Sequence, residues 1–462
     1  MTHINRCSAI AIAISAGWAL PAQAQSADSA AVRQELATMR AQMERMAERI
    51  DVLEARLAQA NERAETATAS ANAANAAVAA AANAKPDTTI VWKGAPEIEG
   101  KGGWSFKPRG RVNFDAGTVS QPNGITDKGL GFANEIRRAR LGVEGSIPGG
   151  FGYKFEMDFA PSSVEVTDAL LSYKHGGLTV TAGQHNNFQS MEELTSSRFS
   201  SFMERAAFTD AFNFERRLGL SAAYAKGDLL LQGGVFTDNI EDLQNDENNS
   251  IGLDGRIVYA PKLGKTQLHL GGSIHWRDLG DAVTSVRYRQ RPFVHFTDTR
   301  FIDTGNIGAQ SETGYGLELA AINGPLHFAG EGYLQKVGRS SLPSATFFGG
   351  FAEVGYFLTK GDTRGYKGGT FDRVKPARGL DKGGAGAIQV NVRYDYLDLI
   401  DAGIIGGKQN GVGLSVIWTP TAYTRLMANY GHMSYDQAAV PAAGGNRNYS
   451  VDVFGMRAQL DF

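Results

Sequence analysis

Phe454-Gly455-Met456-Arg457-Ala458-Gln459-Leu460-Asp461-Phe462 is the stretch that decides the fold. Side chains alternate across a strand, so Phe454, Met456, Ala458, Leu460 and Phe462 share one face, and Arg457, Gln459 and Asp461 the other. An apolar face ending on a C-terminal Phe is expected of the last strand of a bacterial outer-membrane β-barrel, where lipid wets one side and water the other. An ordinary edge strand could alternate in the same way, so the rest of the sequence has to separate the two.

The N-terminus points to export. Arg6 gives a basic start, Ala9 to Leu20 an apolar run, and Ala22-Gln23-Ala24 a cleavage site, which predicts a signal peptide over residues 1–24. That run is too short to cross a bilayer as a helix. Cys7, the one cysteine, falls inside it, so no disulfide is expected in the mature chain. Loss of Arg6 takes the formal charge from −2 to −3, near neutral for this length, and argues against a nucleic-acid partner. The chain has 56 Gly, only 14 Pro and 10% aromatics, with a mean hydropathy of −0.24. No later apolar run approaches the roughly 18 residues a spanning helix needs. A membrane protein of this composition has to be a barrel, whose strands average a polar and an apolar face.

Residues 26–84 form a separate block without Gly or Pro. Leu36, Met39, Met43, Met46, Ile50, Leu53 and Leu57 alternate spacings of three and four, a heptad seam that continues through Ala60, Ala64, Ala67, Ala71, Ala74, Val78 and Ala81. Glu35–Arg40 and Arg49–Glu54 take g and e positions of opposite charge, as a parallel pairing requires. The expectation is a self-associating periplasmic coiled coil; a lone amphipathic helix or an Ala-rich tether is the alternative. Lys85-Pro86 ends it, and 85–102 reads as a linker to a domain over 103–462.

From Trp104 onward sixteen segments alternate with period two, the first at Trp104–Val119 and the last at Tyr449–Phe462. Ile388, Val390, Val392, Tyr394 and Tyr396 oppose Gln389, Asn391, Arg393 and Asp395; Tyr153, Phe155, Met157 and Phe159 oppose Lys154, Glu156 and Asp158. Short connections at 148–150, 175–177, 226–227, 323–324 and 419–420 alternate with long ones at 186–212, 239–249, 278–313 and 437–448. Short turns on one rim and long loops on the other are the outer-membrane pattern. The fold class expected is all-β: a 16-stranded antiparallel transmembrane β-barrel preceded by an α-helical coiled coil, wide enough for an aqueous lumen.

Three groups of basic residues are candidates for lining that lumen, where fixed positive charge attracts anions. Arg287, Arg289 and Arg291 recur at every second residue, which spaces them about 6.5 to 7 Å apart on one face if extended. Residues 360–383 carry seven basic side chains (Lys360, Arg364, Lys367, Arg373, Lys375, Arg378, Lys382) against three Asp, a net +4, where a short turn is due. Such a segment either folds into the lumen or forms a solvated basic rim. Arg138, Arg140, Arg217, Arg256 and Arg393 lie opposite the lipid face, free to line a path or to pair with Glu144, Glu215, Asp254 and Asp395. Loop 186–212 is not basic, since Arg198 and Arg205 are outweighed by Glu192, Glu193, Glu204 and Asp210, but it could narrow the pore by folding inward.

The stretches Ile136-Arg137-Arg138-Ala139-Arg140-Leu141-Gly142, Ser196-Ser197-Arg198 with Phe202-Met203-Glu204-Arg205, and Phe371-Asp372-Arg373-Val374-Lys375-Pro376 resemble the phosphate-selective porins of the porin O and porin P type over about 103–462. The resemblance implies a trimeric barrel with inward-folded loops, an arginine ladder like the Arg287/Arg289/Arg291 spacing and a lysine-containing constriction. No lysine cluster here matches that constriction.

No G-x-S-x-G, H-E-x-x-H or paired-Cys spacing occurs, so no enzyme, metal or cofactor is expected. The function expected is an outer-membrane porin of a Gram-negative cell, passing small, phosphate-like anions, embedded in outer-membrane lipid and assembled as a homotrimer. The alternative is a barrel that anchors the rod as an envelope tether while forming a less selective pore.

Overall fold

The computed structural model describes residues 28–83, 88–242 and 249–462. The expected signal peptide and Cys7 lie outside these residues. Two compact units, Met1–Pro86 and Asp87–Phe462, are each described by themselves. In the first, α1 (Asp28–Asn83) is a 56-residue helix, about 84 Å long at 1.5 Å per residue. Its seam side chains from Leu36 to Leu57 are 45–66% exposed. No described helix is long and apolar enough to cross a membrane.

In the second unit sixteen long strands close into an antiparallel barrel. They are β1 (Ser105–Val119), β2 (Gly131–Ile147), β3 (Phe151–Asp158), β4 (Glu165–His175), β5 (Leu178–Asn186) and β6 (Arg216–Lys226). Next come β7 (Leu229–Phe236), β8 (Ile251–Tyr259), β9 (Thr266–Asp278), β10 (Ser311–Asn323) and β11 (Leu326–Gly338). The last five are β12 (Ala345–Phe357), β13 (Ala387–Asp401), β14 (Ile404–Thr421), β15 (Thr424–Asp436) and β16 (Tyr449–Asp461). Strand β16 pairs with β1 from Val453↔Val119 to Asp461↔Arg111, so no edge remains. Phe462 adds two backbone bonds to Gly110, and its ring fills the space a side chain there would need: a Cβ on Gly110 would stand 2.1 Å from it.

The alternation holds with the expected polarity. Phe454, Met456 and Leu460 point outward, and Arg457, Gln459 and Asp461 are buried inside. Strand β14 begins eight residues before the expected Val412 because Gly406, Gly407, Lys408, Gln409 and Asn410 break the apolar pattern. That part of the strand bears outward polar contacts, Lys408–Asp398 at 2.9 Å and Tyr394–Asn410 at 2.6 Å. Wall height is uneven: β3 to β8 run 8 to 11 residues, β9 to β16 run 13 to 18.

The core sits inside the barrel. The β5–β6 loop (187–215), here the inner loop, folds into the lumen and carries α2 (Met191–Leu194) and α3 (Ala207–Ala211). Phe208 and Phe212 of this loop pack against Tyr333 of β11, and Tyr288 of the β9–β10 loop packs on Phe212 and Phe347. Strand β12 makes room with Gly349, where a Cβ would stand 2.4 Å from the Phe208 Cβ. The β12–β13 connection (358–386) rises from the turn rim into the lumen. Its small hairpin, Gly365–Lys367 with Thr370–Asp372, places Tyr366 Oη 2.7 Å from His269 Nδ1, and Phe371 N donates to Thr195 of the inner loop at 3.2 Å. Within the stretch expected as a linker, Thr88–Trp92 and Pro96–Gly100 form a hairpin that pairs with β1 through Ile98↔Phe106.

Candidate functional site

One arc of the wall holds the inner loop by charge. Glu331 of β11 accepts from Ser190 Oγ at 2.7 Å and from the Glu192 backbone N–H at 2.6 Å, while Asp395 of β13 accepts from the Ala207 N–H at 3.0 Å. Arg393 pairs with Glu353 of the neighbouring strand at 2.8 Å and with Glu192 of the loop at 2.9 Å, its guanidinium 4.4 Å from the Phe202 ring centre. Arg457 binds Asp115 at 2.6 Å and Glu204 at 2.8 Å. Arg425 donates to the carbonyls of Arg198 and Ser200. Buried charges with this many partners fix a loop, because an alternative position would leave them unpaired in a dry interior.

The inner loop is thereby held against β11–β16, and open volume lies opposite, along β1–β6. An upper cavity of about 420 Å³ is bounded by that wall, the inner loop and the β9–β10 loop. Its charges balance: Arg137, Arg138, Arg140, Arg205, Arg216 and Arg291 face Glu165, Glu193, Glu204, Asp210, Glu215 and Glu241. A lower cavity of about 240 Å³ shares Arg138, Arg140, Glu193, Arg205 and Arg216 with it. There the balance fails. The wall supplies Arg109, Arg111, Arg138, Arg140, Lys154 and Arg216, and the inner loop Arg198 and Arg205, against Glu156, Asp168 and Glu193 only. Eight cations face three carboxylates.

Register creates this crowding. In the β1–β2 ladder Arg111 stands opposite Arg140 and Asn113 opposite Arg138, so inward arginines of adjacent strands meet. Partial compensation comes from Asp158 to Arg140 at 2.7 Å, from Glu156 to Arg111 at 3.6 Å, and from Asp168, which takes Lys154 at 2.7 Å and Arg216 at 3.1 Å. Arg111 also donates to Ser197 Oγ. Arg109 Nε, Arg111 Nε and Arg138 Nη1 have no hydrogen-bond partner among the described residues. On the inner loop, burial first and then the nearby Arg109 push the Arg198 guanidinium down. Burial raises the Glu193 carboxyl above its ordinary range despite Arg205. Burial also opposes ionisation of Glu204, but Arg137, Arg138 and Arg457 outweigh it and hold that carboxyl well below the usual range.

The sequence candidates divide accordingly. Arg138 and Arg140 line both cavities, and Arg291 lines the upper one. Arg287, Arg289 and Arg291 do share a face, with Tyr288 and Gln290 buried between them, yet Arg287 is paired to Asp303 and Arg291 to Asp298 at 2.8 Å. Arg256 is wholly buried on Glu318 and donates to Gly369 O of the β12–β13 connection. Arg217 pairs with Glu215, and Arg393 belongs to the loop anchor. Arg373 binds Asp461 and Ala422 O near the turn rim, while Lys367 and Lys375 are exposed. Of the salt bridges expected, only Arg217–Glu215 forms. Glu144 takes Arg109 and Asp254 takes His275, because cross-strand neighbours lie nearer than arginines along the same strand, and Asp395 takes the Ala207 N–H of the inner loop. The cavities also draw on Arg109, Arg111, Lys154 and Arg216, which were not singled out. The i, i+2 pair Arg109/Arg111 on one face was the available signal.

The family model described as "Phosphate-selective porin O and P" matches residues 106–462. An uncharacterized protein of Caulobacter vibrioides is 48% identical over 447 residues, covering 94% of this chain and 90% of that protein. Among solved structures, the outer-membrane expressed OmpT of Vibrio cholerae aligns at a TM-score of 0.50 and 12% identity, over 78% of this chain and 98% of its own. An anion-selective porin from Comamonas acidovorans aligns at 0.50 and 13%, over 78% and 100%. At those identities the two share the fold. The family match spans most of the chain, and the chain belongs to the phosphate-selective porin O and P family: it is a porin, a β-barrel channel of the bacterial outer membrane.

Proposed function

From that membership we propose that the channel prefers anions, with phosphate-like oxyanions among them, and that solutes descend along β1–β6 through the balanced upper cavity into the cationic lower one. The observation that carries this reading is the excess of five positive charges among the residues lining a volume of about 240 Å³, offset only from behind the lining by Glu144, Asp158, Glu204 and Asp461. Two unit charges about 7 Å apart interact by roughly 2 kcal/mol at an effective dielectric of about 20. Sites of that depth hold an anion briefly and release it to the next, so conduction continues. Guanidinium forks match the geometry of tetrahedral oxyanions, which favours phosphate over chloride at Arg111, Arg138 and Arg140.

The rod belongs to the same reading. With the chain exported and the barrel's turn rim on the periplasmic side, α1 stands in the periplasm, where its exposed Leu/Met/Ile seam and complementary g/e charges support a parallel coiled coil joining three copies. A tether role for the rod is compatible with a conducting barrel.

Purified protein in a planar bilayer under a salt gradient tests the proposal. The reversal potential should take the sign of an anion-preferring pore, and added phosphate should reduce chloride current. A neutral or cation-preferring reversal potential would overturn it.

A further inference from the structure

We propose that the hairpin Thr88–Gly100 is a membrane-interface anchor whose apolar face sits among the phospholipids of the leaflet at the turn rim. The register sets that face. Ile98 pairs with Phe106, an outward residue of β1, and Ile90 pairs with Ile98, so both lie on the side that continues the lipid-facing surface of the barrel. Trp92 pairs with Pro96, two residues further along the same face, and is 74% exposed. Trp104, just before β1, is 54% exposed beside it in sequence. An isolated two-stranded hairpin gains little by exposing these side chains to water, and tryptophan concentrates where bilayer meets water.

The hairpin is also held in place. Its turn lodges on Tyr423 of the β14–β15 turn: a Cβ on Gly94 would stand 2.4 Å from that ring, and Ala95 is almost fully buried. Lys93 bonds Glu97 across the turn at 2.9 Å. Charge and fixed docking therefore sit at the tip, and the apolar strip extends the outer wall below Phe106 and Phe462. Lipid, rather than a second copy, is the occupant because the strip is continuous with the lipid-facing wall.

This rests on the barrel spanning a bilayer, and the experiment separates the two. Full-length mature protein with Trp92 as its only tryptophan (Trp104→Phe, Trp276→Phe, Trp418→Phe) is placed in vesicles of phosphatidylcholine brominated on the acyl chain near the headgroup. A second protein keeps only Trp276, an outward residue of β9. The expected result is quenching of Trp92 as strong as that of Trp276. Quenching of Trp276 without Trp92 overturns the anchor and leaves the barrel reading standing. Absence of quenching in both overturns the membrane reading and the anchor with it. Should the single-tryptophan proteins fail to fold, a spin label on Trp92→Cys reads the same immersion: greater accessibility to oxygen than to a water-soluble nickel chelate supports the anchor, and the reverse overturns it.

Discussion

The β1–β6 arc and the β11–β16 arc both send arginines into the lumen, with opposite outcomes. On β11–β16, Arg393 and Arg457 each meet two carboxylates and are buried, Arg393 between the Phe202 and Phe351 rings. On β1–β6, Arg111 stands opposite Arg140, Arg109 and Arg138 lie close by, and although Arg140 and Arg109 find Asp158 and Glu144, cations outnumber carboxylates around an open cavity. The difference lies in the balance of charge around each group, not in residue type. Where carboxylates match the arginines the arc is packed solid, and where they fall short a cavity stays open, the place where the proposal puts a passing anion.

Breaking the packed arc should have the largest effect. Removing one partner of a buried pair costs about 3–5 kcal/mol because the other charge stays buried and alone. Arg393→Ala, which strands Glu192 and Glu353, should lower the temperature at which the barrel loses its folded gel mobility. It should also raise single-channel conductance and noise as the inner loop loosens. On the open arc, Arg111→Ala with Arg138→Ala should lower that temperature less, since Glu156 keeps Arg140, and Glu204 keeps Arg137 and Arg457. The reversal potential should nevertheless move toward neutral, because the excess among the lining residues falls from five to three.

Acidity should sharpen the contrast by a smaller amount. Burial raises the Glu193 carboxyl, whereas Glu204 is held low by Arg137, Arg138 and Arg457. As pH falls, Glu193 takes a proton before Glu204, and the lower cavity gains one unit of excess positive charge. Anion preference should therefore increase from neutral toward mildly acidic pH, and Glu193→Gln should flatten that part of the profile while raising selectivity at neutral pH. The smallest effect is expected from Arg287→Gln, Arg289→Gln and Arg291→Gln combined. Arg287 and Arg291 are already neutralised by Asp303 and Asp298, and the upper cavity is balanced. A loss of selectivity as large as that from the Arg111/Arg138 pair would move the filter up to the β9–β10 loop.

Period-two alternation made the strands legible, because lipid on one side and water on the other act on every residue of a wall. The terminal Phe454–Phe462 stretch alone conveyed both faces correctly. The length of the basic 360–383 segment left two paths open, into the lumen or along a solvated rim, and the pairing of its hairpin with His269 and Thr195 puts it in the lumen. What alternation cannot carry is which inward residues meet. Arg111 opposite Arg140, or Arg393 between Glu353 and Glu192, depends on register and on a loop some 200 positions away in sequence. The Arg287/Arg289/Arg291 spacing was correctly read as one face, but Asp298 and Asp303 return along the same loop to occupy it.

The location of the path is the central claim, and a thiol can report it directly if cleavage removes Cys7. Ser196→Cys places a thiol in the lower cavity beside β1–β6, and Gln335→Cys places one on the inward face of the packed arc. A negatively charged methanethiosulfonate added to single channels should cut the current through Ser196→Cys and leave Gln335→Cys unchanged. Block at Gln335→Cys with none at Ser196→Cys would contradict the account.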